Sequence, residues 1–91
     1  MRHPVSACII TYNEEQNIRR CLESVKWADE IVVVDSKSTD KTVDICREYT
    51  DKIILRDFPG HIEQKNFAID QAMHHWVFCI DADEEVTPHL Q

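Results

Sequence analysis

Ninety-one residues, 43% of them hydrophobic and 30% charged, suffice for one small folded core and show no disordered or low-complexity segment, so a single domain over 1–91 is expected. A formal net charge of -7 excludes the basic face that sequence-independent attraction to nucleic acid or anionic lipid requires. No apolar run approaches the ~20 residues of a membrane span, and Met1-Arg2-His3-Pro4 is too short and polar for a signal peptide, which predicts a cytoplasmic location.

The first element is a run of apolar, largely β-branched residues from Val5 to Ile10, and a second such run covers Ile31 to Val34. Short, nearly continuous apolar runs are the pattern of parallel strands buried on both faces. Between them Ile18, Cys21, Leu22 and Val25 recur at helical spacing, and Asn13 followed by Gln16 predicts a capped helix from about Glu14 to Trp27. Together these make a βαβ unit. The pattern then repeats. Asp40 is placed to cap a helix carrying Val43, Cys46 and Tyr49 on one side, and Lys52 to Arg56 reads as a third strand. A third helix is expected with Lys65, Ala68, Ile69, Ala72 and Met73 on its inner face, followed by a fourth strand from Trp76 to Ile80. Thr87-Pro88 is a helix-start signal with only three residues after it, so the chain is expected to be the front of a longer polypeptide. The fold class that follows is α/β: a Rossmann-like parallel sheet of about four strands with flanking helices.

Cys8, Cys21, Cys46 and Cys79 lie far apart in apolar stretches without a CxxC pair, which suits reduced core residues better than a zinc site. The polar residues collect elsewhere. In a parallel βαβ sheet the segments following the strands share one edge, where ligands bind. Thr11-Tyr12-Asn13-Glu14-Glu15, Asp35-Ser36-Lys37-Ser38-Thr39-Asp40 and Asp81-Ala82-Asp83-Glu84-Glu85 are three such segments, so topology brings their carboxylates together. Gly60 is the only glycine, which argues against a P-loop or GxGxxG phosphate cradle and leaves an acidic edge able to grip a diphosphate through a divalent cation. Asp81 and Asp83 are the candidate metal contacts, and hard carboxylate oxygens suit Mg²⁺ or Mn²⁺. Each residue also has a plainer explanation. A lone DxD among 17 acidic residues is ordinarily a solvated loop, Asn13 and Asp40 serve as helix caps, and Tyr12 is either a surface ring or a platform for a nucleobase. Asp35, at the end of a buried Val-Val-Val run, needs a partner or solvent, and a base or ribose would supply one.

Taken in order, Ala7-Cys8-Ile9-Ile10-Thr11-Tyr12-Asn13-Glu14-Glu15, Val33-Val34-Asp35-Ser36-Lys37-Ser38-Thr39-Asp40 and Asp81-Ala82-Asp83-Glu84 resemble family 2 glycosyltransferases of the GT-A fold, within them bacterial transferases of lipopolysaccharide core assembly. The resemblance implies a nucleotide diphosphate sugar donor, often UDP-linked, with Thr11, Tyr12 and Glu14 around the base and Asp35 near base or ribose. It implies Asp83 on the metal, Asp81 at ribose or metal, and Lys65 and Asn66 turned toward the donor. The acceptor implied is a cell-envelope glycan or a lipid-linked sugar, which places the protein in the cytoplasm or at the inner face of a bacterial plasma membrane. The reaction implied is inverting displacement at the anomeric carbon, with its general base beyond Gln91, so that the 91-residue chain alone is expected to bind donor without turnover. Two positions depart from the pattern. Many relatives carry a second aspartate where this chain has Ser36, and glycine where it has Lys37; if that backbone has positive φ, lysine costs about 1 kcal/mol there unless its ammonium meets a phosphate. Two rival readings share an acidic α/β edge. A metal-dependent nucleotidyltransferase lacks its expected glycine-rich loop here, and a Mg²⁺-binding receiver-type regulatory domain expects paired acids directly after the first strand, where this chain has Thr-Tyr-Asn.

Overall fold

The computed structural model describes residues 3–85. The elements alternate as expected: β1 Val5–Thr11, α1 Ile18–Val25, β2 Glu30–Asp35, α2 Thr42–Cys46, β3 Ile53–Leu55, α3 His61–Gln71 and β4 Trp76–Asp81. All pairings are parallel and the strand order is β3-β2-β1-β4, with β1 between two partners: Ile9 lies opposite Val33 on one side and Ile80 on the other. The expected Thr87-Pro88 helix start lies outside the described residues.

Period-two alternation sorts the core into two layers. Ala7, Ile9, Ile31 and Val33 pack against Ile18, Cys21, Leu22 and Val25 of α1 and Cys46 of α2. Cys8, Val32 and Val34 face the opposite way, against Ala68 of α3. Both faces of the central strands are therefore covered, which is why β1 and β2 read as unbroken apolar runs rather than as alternating ones. The cysteines divide between the layers as free thiols. Burial, the main cause, pushes Cys21 and Cys46 up to about 12, so both remain protonated.

Two expected elements come out differently. The first helix begins at Ile18, not Glu14, because residues 15–17 form a turn whose Asn17 and Ile18 N–H groups both bond the Glu14 carbonyl. Asn13 is not its cap. The buried face of α3 is Gln64 and Ala68, while Ile69 and Met73, expected inside, are exposed. A helix with apolar residues on two faces has no unique phase that periodicity alone can settle.

Candidate functional site

The direction of chain progression reverses across β1: β2 and β3 extend to one side of it, and β4 lies on the other. The carboxyl ends of β1 and β4 thus flank a topological switch point, where α/β sheets open a crevice. A cavity of about 500 Å³ occupies that place. Its walls are Ile10, Thr11, Tyr12 and Glu14 from the end of β1, Ser36 after β2, Phe58 and His61 on the way into α3, and Asp81, Ala82 and Asp83 at the end of β4. The size falls within the range of small-molecule sites.

The β1 loop is shaped by side chains from across the sheet. Three successive N–H groups are taken up: Asn13 donates to Ser38 Oγ at 2.7 Å, Glu14 to Thr42 Oγ1 at 2.8 Å and Glu15 to Asp40 Oδ2 at 3.2 Å. Asn13, in the left-handed region at φ 50, returns the favour by accepting the Thr39 N–H at 2.7 Å. Asparagine tolerates that conformation better than most residues. Asp40 also accepts the Thr42 N–H at 3.0 Å, so it organises the start of α2 while tethering the neighbouring loop. Burial opposes its charge, but the Thr42 and Glu15 bonds outweigh that and hold its carboxyl below the usual carboxylate value.

With its backbone so held, the β1 loop presents Thr11 and Tyr12 to the cavity beside Glu14. Tyr12 projects with 55% of its surface exposed. Thr11 is buried, and its hydroxyl oxygen has no hydrogen-bond partner. An unsatisfied buried hydroxyl costs about 1–3 kcal/mol, which a polar ligand in the cavity would offset.

The β4 turn is rigid for its own reasons. Glu84 N–H donates to the Asp81 carbonyl at 2.9 Å, and the Glu84 carboxylate accepts the Asp81 N–H at 2.8 Å. Ala82 N–H bonds the Ile10 carbonyl at 3.1 Å, and Arg20 reaches the Asp83 carbonyl at 3.4 Å. Glu84 is thus occupied within its own turn, whereas the Asp81 and Asp83 side chains line the cavity. Among the described residues no three His, Cys, Asp or Glu side chains form a metal-holding cluster. Two carboxylates fit a Mg²⁺ or Mn²⁺ that takes its other ligands from phosphate oxygens and water.

Five of the eight site residues named from the sequence, Thr11, Tyr12, Glu14, Asp81 and Asp83, therefore line one cavity. Asp35 does not. It is fully buried, and its two oxygens accept the Ser38 N–H at 2.7 Å and the Ser38 hydroxyl at 2.5 Å, so the partner it needed comes from its own loop. Lys65, half-buried, and Asn66, exposed, both on α3, are not among the cavity walls either.

Residues 6–91 match the family described as Glycosyl transferase family 2. The chain belongs to that family. It is 40% identical over 93 residues to the lipopolysaccharide core biosynthesis glycosyltransferase LpsC of Rhizobium meliloti, a match covering 97% of this chain and 34% of LpsC. The mannosyltransferase PcManGT from Pyrobaculum calidifontis, solved in complex with GDP-Man and Mn²⁺, superimposes with a TM-score of 0.79 at 28% identity, over 93% of this chain and 29% of that one. TarS 1-349 of S. aureus, in complex with UDP, does so with a TM-score of 0.71 at 29% identity, over 90% and 28%. The sheet described above is thus a portion of the GT-A architecture. The chain spans about a third or less of the length of curated relatives it matches.

Sequence reasoning missed Phe58 and His61. Their signal was present: a third parallel strand ends at Leu55, so the segment after it must reach the same edge as the other loops. Phe58 packs edge-on against His61, with ring centroids 5.1 Å apart.

Proposed function

We propose that this chain forms the donor-binding part of a glycosyltransferase that moves a sugar from a nucleoside diphosphate, UDP in the first instance, onto a cell-envelope glycan or lipopolysaccharide core acceptor. The observation that carries the reading is the single cavity where the unsatisfied Thr11 hydroxyl, the exposed Tyr12 ring and the Asp81 and Asp83 carboxylates meet. The LpsC relationship supports the acceptor class, and the GDP-Man and UDP complexes of the two structural relatives support the donor class.

In this reading Tyr12 offers its ring to the base, and Thr11 bonds the base or ribose. Glu14 closes the same wall. Asp81 and Asp83 would hold Mg²⁺ or Mn²⁺, which when bound balances the charge on a departing diphosphate. Asp35 acts from behind by fixing Ser38, which in turn receives Asn13 and so shapes the wall. The acceptor hydroxyl attacks the anomeric carbon on the face opposite the diphosphate and inverts it. Its proton requires a general base, and no residue of 3–85 is assigned that role. Work at the inner face of a bacterial plasma membrane agrees with such an acceptor, and no helix among the described residues is long and apolar enough to cross a membrane.

Calorimetric titration of UDP in Mn²⁺, Mg²⁺ or EDTA tests the reading. Metal-dependent binding to the wild-type chain that disappears in the Asp81→Asn, Asp83→Asn variant is the expected result. Binding that is indifferent to both metal and the double substitution would remove the acidic turn from the site.

A further inference from the structure

Ser36 stands in the cavity wall with its backbone N–H bonded to the Thr11 carbonyl at 2.9 Å, so its position is set by the sheet. Beneath it lies Gln64, from the first turns of α3, a fully buried polar side chain in a layer otherwise made of Cys8, Val32, Val34 and Ala68. Gln64 Nε2 donates to Ser36 Oγ at 3.2 Å, and Gln64 Oε1 is buried without a partner. A glutamine kept in an apolar layer with half its amide unsatisfied is costly as packing alone. Its single bond goes to a residue of the cavity.

That bond has a directional consequence. A hydroxyl has one proton to give and two lone pairs to receive with. With an amide N–H on the oxygen and no acceptor for the Ser36 O–H among the described residues, that proton is left for an acceptor in the cavity that Ser36 lines. The cavity itself is polarised. Its β4 end carries Asp81 and Asp83, and its β2 end carries Ser36 between the exposed rings of Tyr12 and Phe58. The two ends are two strand spacings apart, on the order of 10 Å, which is the reach of a nucleotide from diphosphate to base. A diphosphate approaches the carboxylates only with a cation, so the planar base takes the aromatic end.

We propose that Gln64 is a positioning residue for nucleobase selectivity, holding the Ser36 hydroxyl as a donor toward a base whose facing edge carries a keto oxygen, as in uracil or guanine. Cytosine and adenine present an exocyclic amine there, which offers the hydroxyl proton no acceptor. The inference rests on the cavity being the nucleotide site.

The test compares UDP and CDP binding to the 91-residue chain by calorimetry in Mg²⁺. Wild type is expected to favour UDP by on the order of tenfold, one hydrogen bond's worth of discrimination. Gln64→Met, which frees the hydroxyl to turn, should bring the ratio toward one. Gln64→Glu, an acceptor that captures the Ser36 proton, should carry it further toward CDP. Ser36→Ala should also abolish the preference, and adding Gln64→Met to Ser36→Ala should change the ratio no further, the signature of action through Ser36 that a merely structural glutamine would not produce. An unchanged UDP preference in the folded Gln64 variants overturns the proposal. Should those variants not fold, a Ser36→Ala chain that still prefers UDP overturns it equally. Failure of the site reading looks different: wild type then binds neither nucleotide, and the selectivity proposal falls with it.

Discussion

Lys37 and Gly60 each hold a backbone conformation that L side chains avoid, at φ 63 and φ 143 respectively. At Gly60, with ψ 161, a Cβ would also come within 2.2 Å of Glu63 Oε2. That side chain can move aside, but the backbone cannot, because the Gly60 carbonyl accepts the first helical N–H bond of α3 from Gln64 at 3.0 Å. Gly60→Ala is therefore expected to destabilise the fold by about 1–3 kcal/mol in urea denaturation. Lys37 is the converse case, an ordinary residue where glycine would sit without strain. Its ammonium lies 3.1 Å from Asp57, and both side chains are well exposed, so that ion pair recovers little. Lys37→Gly should stabilise the chain by about 1 kcal/mol in the same experiment. If the ammonium also serves a donor phosphate, UDP affinity falls as stability rises; unchanged affinity would remove that role.

At the scale of elements, the β1 and β2 loops behave as one unit closed by Ser38. Its hydroxyl donates to buried Asp35 and accepts the Asn13 N–H, so Ser38→Ala breaks two bonds and leaves a buried carboxylate short of one donor. A loss of about 1–3 kcal/mol is expected. Thr39→Ala makes a sharp control, because the Thr39 N–H bond to Asn13 survives and only a 3.4 Å hydroxyl contact is lost. Hydrogen exchange at Asn13 should accelerate in the first variant and not in the second. Equal, small effects would show the two loops to be independent.

Across the whole molecule, Glu30 joins parts of the chain far apart in sequence at the edge opposite the cavity. Its carboxylate accepts from Ser6 at 2.6 Å, from Lys52 at 2.7 Å and from the Met73 N–H at 2.9 Å. Burial opposes its ionisation, but those donors prevail, so its carboxyl, like that of Asp40, is held below its ordinary value. A depressed native value means that the unfolded chain takes up protons first on acidification. The stabilisation is complete above the ordinary carboxylate range and fades as pH drops through the native values. Thermal denaturation should accordingly show Tm falling between about pH 5 and pH 3, with Glu30→Gln starting lower at pH 7 and falling less steeply. A parallel decline in both proteins would locate the acid sensitivity elsewhere.

Element types and order were legible in the sequence because burial on both faces writes a strand as a continuous apolar run, and α1 as a clear 3.6-residue stripe. The parallel topology then made the common edge legible, and with it Thr11, Tyr12, Glu14, Asp81 and Asp83, all within a few residues of a strand end. What periodicity could not decide was the phase of α3, whose Ile69 and Met73 look outward while Gln64 is buried. Nor could any local pattern show how polar groups pair across loops. Asp35 finds Ser38 only three residues on, a pairing within its own loop, but only the tertiary structure turned Asn13 from helix cap to loop tie and seated Gln64 beneath Ser36. Hydrogen-bond partners 25 to 28 residues apart are chosen by three-dimensional proximity, which hydrophobic spacing along the chain does not encode.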